Sequence, residues 1–219
     1  VRGQMPQNAA KTIRDRHGDC KDHSLLLHQL LKAQGIESYL ALVRSDGPIE
    51  REIPSGDQFD HMILYVPGFM EGHFFDCTNK SGDLTLAAPY GLAGRQALLI
   101  DADQPGRFET IPDYPAKAEH VDCSREIELL ADGDLSIRER VVIAGYWASP
   151  VRAYLRSLTP ADQETALQRI LSSDGSEVRL EKHAIQGLDE PRKPMVIWST
   201  YRVPDRFSSA GESLVGRLP

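Results

Sequence analysis

The chain has 219 residues, 41% of them hydrophobic and 26% charged, a composition that supports a folded core and excludes wholesale disorder, collagen-like repeats and coiled coil. With 25 Lys+Arg against 32 Asp+Glu it carries a net charge of −7 and has no run of basic residues, which argues against a nucleic-acid partner. No apolar run approaches the roughly 18 residues of a membrane helix, so no membrane insertion is expected.

Three cysteines, Cys20, Cys77 and Cys123, are too few and too scattered for a disulfide framework or a zinc ribbon. The sequence begins at Val1, with nothing resembling a signal peptide, and is expected to be preceded by the rest of a longer parent chain.

In chain order, the first informative stretch is DCKDHSLLLHQLLKAQG, residues 19–35. Leu26, Leu27, Leu30, Leu31 and Ala33 recur at helical spacing. Asp19 is placed to cap the helix start with Asp22 completing a capping box, and Gly35 stands where a left-handed C-cap is wanted. Cys20 then lies in the first turn on one stripe with Ser24, Leu27 and Leu31, facing inward.

IESYLALVR is expected as a strand, DGPIEREIPSGDQ (46–58) as a loop, and FDHMILYVP and HFFDCT as two further strands. Closeness in sequence favours antiparallel pairing among them. Residues 82–115 are turn-rich, and IPDYPAKAE (111–119) marks a boundary between two domains, 1–115 and 120–219.

Beyond the boundary, REIELLADGDLSIRERVVI is expected as a hairpin turning at Asp132-Gly133-Asp134. One long helix is expected over about 150–172, then two strands, EVRLEKHAIQ and PMVIWSTYRV. Val142, Ile143, Trp147, Val196, Ile197, Trp198 and Tyr201 are the expected apolar core of this β-rich module, to which no catalytic role is assigned.

The chemistry-bearing pattern is a Cys at a helix start (Cys20), a His on a following strand (His61) and an Asp on the next (Asp76). Unpaired N–H groups and the dipole at a helix N-terminus favour a thiolate, a neighbouring imidazole pairs with it and shuttles protons, and a carboxylate orients the imidazole. Against this stands a closely spaced ligand set, His17-x-x-Cys20-x-x-His23, to which Cys77 or His73 could be added. Those extra residues belong to strands that serve the triad, so no metal and no cofactor are expected.

RHGDCKDHSLLLHQLLKAQGIESYLALV, followed by FDHMILYV and FFDCT, resembles the core of bacterial transglutaminase-like proteins over roughly residues 10–100. That resemblance implies a papain-like α+β fold, with a nucleophile helix on an antiparallel sheet, and a protein or peptide substrate. It assigns Cys20 as nucleophile, His61 as general base and acid, and Asp76 as orienting carboxylate. The implied function is that of a cysteine peptidase, amidase or acyltransferase working on amide bonds through an acyl-thioester. The alternative is an inactive binding or scaffold module of the same fold. Resemblance also favours a bacterial periplasmic or secreted setting. Related domains carry an upstream element with an aromatic or amide side chain near the oxyanion. Only 19 residues precede Cys20 here, so that core is expected to be N-terminally incomplete. The oxyanion would then rest on the Cys20 N–H and one further donor.

Overall fold

The structure is a computed structural model that describes residues 5–89, 91–101, 103–115, 119–172, 175, 177–216 and 218. The chain divides into two compact units, 1–116 and 117–219. Residues 116–118 of the expected linker, and Val1, lie outside the described residues.

In the first unit, helices α1 (Ala9–Asp15) and α2 (Cys20–Ala33) precede strands β1 (Tyr39–Val43), β2 (His61–Val66), β3 (His73–Phe75), β4 (Gln96–Ile100) and β5 (Arg107–Thr110). The strands form one antiparallel sheet in the order β3-β2-β1-β4-β5. Two of them correct the expectation for 82–115, which is turn-rich but also supplies β4 and β5. These short strands follow Gly94 and Pro105-Gly106 and owe their pairing to the distant β1, with Leu42 opposite Leu98.

Ala41, Val43, Ile63, Phe74, Ala97 and Leu99 bury one face of this sheet beneath Ala88, Leu92 and Ile111. Met62, Leu64 and Val66 alternate to the other side, where α2 packs on β2 and β1. Both faces of β2 are thus buried, which explains its near-continuous apolar run.

The second unit contains β6 (Val121–Leu129), β7 (Leu135–Ile143), α3 (Ala148–Arg156), α4 (Pro160–Leu171), β8 (Arg179–Gln186) and β9 (Met195–Val203). A small hairpin follows, β10 (Phe207–Ala210) with β11 (Ser213–Gly216). The main sheet is antiparallel in the order β6-β7-β9-β8. The β6–β7 hairpin turns at the expected Asp132-Gly133-Asp134, and Arg202 lies 3.2 Å from both aspartates.

The expected single long helix is two. Pro160 has no N–H to continue a helical ladder, and Thr159 instead caps a new helix by accepting from the Asp162 N–H. The buried Arg152 of α3 donates to the carbonyls of Gly187 and Lys193, holding the β8–β9 connection.

Along β7 and β9 the inward residues form two apolar clusters, one around Leu135, Ile137, Tyr201 and Val203, the other around Ile143, Leu155 and Met195. A polar rung separates them. Arg125, Glu139, Ser199 and His183 stand opposite one another across the four strands. Glu139 is buried there and accepts from Arg125 and from the Tyr201 hydroxyl. The tryptophans correct the expected core: Trp147 and Trp198 are both exposed. Trp198 and Ile197 are adjacent in a strand, so they cannot share a face.

Candidate functional site

The site is assembled from the first turn of α2 outward. Asp19 is the N-cap, accepting from the Asp22 N–H at 3.3 Å, while Asp22 Oδ2 accepts from the Asp19 N–H at 3.1 Å. This capping box makes Cys20 the first helical residue, with an N–H that has no helical acceptor. Gly18 is required beside it, because a Cβ there would sit 2.7 Å from the Asp22 Cβ.

The far end closes with Gly35 at φ +72°, donating to Lys32, and Ile36 donating to Leu31. Capping and termination both follow the expected pattern.

The residues ahead of Cys20 fold against the start of α2 and hold it in place. Asn8 caps α1, and the Gln7 N–H donates to Asp22 Oδ1 at 2.7 Å. The Gln7 side-chain amide donates to Thr12 Oγ1 and to the His17 carbonyl. Asp22, fully buried, is therefore the hub that fixes the N-terminus of α2. A buried aspartate tied to Gln7 has no local sequence signal beyond its place in the capping box.

Ser24 positions α2 on the sheet. Its buried hydroxyl donates to the Met62 carbonyl at 3.0 Å. Cys20 lies four residues earlier on the same helix face, roughly 6 Å back along the axis, and the residue preceding Met62 is the histidine that bonds Asp76. That residue is His61, at the start of β2.

The β2–β3 register pairs Leu64 with Phe75. Continued by one step it sets Asp76 opposite Ile63, a diagonal neighbour of His61. Asp76 Oδ2 accepts from His61 Nε2 at 2.9 Å. Its other oxygen accepts from the Thr78 N–H at 2.8 Å and the Thr78 hydroxyl at 2.6 Å. The three expected residues are brought together: His61 bonds Asp76, and Cys20 lies close enough to help raise the His61 pKa.

The electrostatics follow from that geometry. Burial opposes the charged His61 ring, but the hydrogen bond and charge of Asp76, followed by those of Cys20, push its pKa up to about 9. Burial likewise opposes the Asp76 carboxylate, and hydrogen bonds from His61 and Thr78 overcome it, holding the group below its ordinary value.

Cys77, one residue beyond Asp76, lies beside Ser24, where burial pushes its thiol up to about 11. It is a neutral packing thiol. Cys123 is exposed on β6 of the second unit.

The residues weighed for a metal are dispersed in role. His17 is exposed, and His73 Nε2 donates to the Leu84 carbonyl at 2.8 Å within a cluster with Phe69 and Phe75. His23, half-buried on α2, has a buried Nδ1 without a hydrogen-bond partner. Among the described residues, no group of three or more His, Cys, Asp or Glu side chains is arranged to hold a metal ion. Also among them, no helix is long and apolar enough to cross a membrane.

Compared with protein-family models, curated proteins and solved structures, the chain matches none.

Proposed function

We propose that Cys20, His61 and Asp76 form the catalytic triad of a cysteine-dependent enzyme acting on amide bonds in a protein or peptide, with the first unit as a papain-like, transglutaminase-like core. The observation that carries this reading is the His61 ring, which bonds Asp76 at 2.9 Å while interacting with Cys20 at the first position of a capped helix.

The Cys20 thiolate attacks the substrate carbonyl carbon, forming a C–S bond and an oxyanion. The unpaired Cys20 N–H at the helix start is a donor for that oxyanion. Protonated His61 gives its proton to the leaving nitrogen as the C–N bond breaks, leaving an acyl-thioester. His61 then takes a proton from water or an incoming amine, whose attack breaks the C–S bond and restores the thiolate. Water gives hydrolysis, an amine gives transfer. Asp76, held by Thr78, keeps the ring oriented and stabilises its positive charge.

The test is iodoacetamide labelling of the whole chain near pH 6, with each cysteine quantified by peptide mass spectrometry. Cys20 should react faster than Cys77 and than Cys123, and Cys20→Ala should remove the fast phase together with any amidase or transferase activity. Labelling of Cys20 no faster than that of exposed Cys123, or activity unchanged in Cys20→Ala, would reject the triad.

A further inference from the structure

The second unit has a sheet face that the helices do not cover. On it, Ser124, Arg140, Trp198 and Ala184 stand in one row across the four strands, and Glu126, Arg138, Thr200 and Lys182 in the next. These two rows, with the rung of Arg125, Glu139, Ser199 and His183 between them, line a cavity of about 480 Å³, within the usual range for small-molecule sites. Trp198 is 44% exposed, and Ala184, its neighbour on β8, is too small to cover the ring on that flank. The Arg140 guanidinium sits over the same ring at 5.3 Å from its centre.

Charge on this face is unevenly satisfied. Arg138 is paired with Glu126 at 3.2 Å. Among the described residues, neither Arg140 nor Lys182 has an acidic side chain within salt-bridge reach, although the chain as a whole carries −7. The cavity therefore combines an exposed aromatic plate, two uncompensated cations, two hydroxyls and one ion pair able to hydrogen-bond on both sides.

We propose that this face binds an acidic carbohydrate, an oligosaccharide bearing uronic-acid carboxylates. The C–H face of a sugar ring stacks on Trp198, as amphipathic rings do on an aromatic plate. Its carboxylate meets Arg140 and Lys182, the guanidinium offering the forked donors a carboxylate fits. Ser124, Thr200 and the Glu126–Arg138 pair take its hydroxyls. An extended peptide is the poorer occupant, because the backbone groups beneath this face are spent in the β7–β9 and β8–β9 ladders. Peptides added to sheets draw their affinity from free edges.

The assay is isothermal titration of the full chain with trigalacturonate, cellotriose and hexaglutamate. Trigalacturonate should bind, with cellotriose at least about tenfold weaker. Trp198→Ala, Arg140→Gln and Lys182→Gln should each weaken trigalacturonate by roughly tenfold, and Trp198→Phe should keep most of the affinity. All three side chains face outward, so circular dichroism should show native folds. Should Trp198→Ala lose its fold, the two cation variants decide the matter. Hexaglutamate binding as tightly as trigalacturonate would replace the carbohydrate with an acidic peptide. Heat absent at about 10 mM trigalacturonate, or binding untouched by the variants, would overturn the site altogether.

Discussion

Replacing Asp76 with Asn isolates the charge that governs His61. The amide keeps an oxygen to accept from the Thr78 N–H and hydroxyl, bonds of 2.8 and 2.6 Å in the native site, while removing the negative charge 2.9 Å from His61 Nε2. In the native protein burial opposes the imidazolium, yet Asp76 and then Cys20 carry His61 from its ordinary 6.5 to about 9. At about 1.4 kcal/mol per tenfold change in proton affinity, that rise is a preference of roughly 3 kcal/mol for the charged ring. The ring is only 20% exposed, so solvent screening removes little of it. Without the carboxylate the burial remains, and the midpoint should drop below about 7. Histidine ring signals followed by NMR against pH measure this directly. A His61 midpoint in Asp76→Asn within about half a pH unit of the native one would refute the reasoning.

Stability follows the same linkage. The folded pKa of His61 is raised, so its contribution is complete below 6.5 and disappears as pH rises through about 9. The folded pKa of Asp76 is lowered, so its contribution is present above 3.8 and disappears as pH falls through the folded value. Both statements describe one pair and count once. In urea denaturation, the native protein should exceed Asp76→Asn most between 3.8 and 6.5, with the gap closing by about pH 10. A gap that widens above pH 9 would contradict the sign.

Ser24→Ala removes the bond to the Met62 carbonyl; it should cost about 1–2 kcal/mol in urea unfolding and slow Cys20 alkylation, because the helix loses its register against β2. Gly18→Ala drives a methyl group against Asp22 and should destabilise by about 1–3 kcal/mol, with Cys20 labelling slowed in the folded fraction. Arg152→Met leaves carbonyls of the β8–β9 connection without their donor and should cost about 2–4 kcal/mol, read as a lower Tm, while Cys20 labelling stays unchanged.

Much of the candidate site was legible because its determinants are local. The capping box, the leucine spacing and Gly35 define α2 within one stretch of chain, and Asp76-Cys77-Thr78 carries its own turn chemistry. Strands β4 and β5 were not legible. Each is short, each borders glycine or proline, and what makes them strands is pairing that begins with the distant β1. The break at Pro160 was legible in principle, since Thr159-Pro160 with Asp162 is a helix start embedded in a longer apolar periodicity. For Trp198, strand parity outweighs side-chain size. Met195, Ile197, Ser199 and Tyr201 occupy alternate positions of β9, and that alternation sends Trp198 outward.

The surroundings of Cys20 and Cys77 differ in ways that bear on the proposed nucleophile. Both thiols stand near Ser24, one a helical turn before it and one beside its hydroxyl. Cys77 is half-buried, and desolvation pushes its thiol up to about 11. Cys20 instead meets an imidazole that Asp76 keeps charged, at a helix end whose first N–H groups have no helical acceptor. A fold that needed only a packed thiol at position 20 would have no use for a carboxylate with both oxygens engaged, one by His61 and one by Thr78. A buried His–Asp pair also costs desolvation on both partners. Its placement beside Cys20 at the capped start of α2 argues for a nucleophile at Cys20 over a purely structural role.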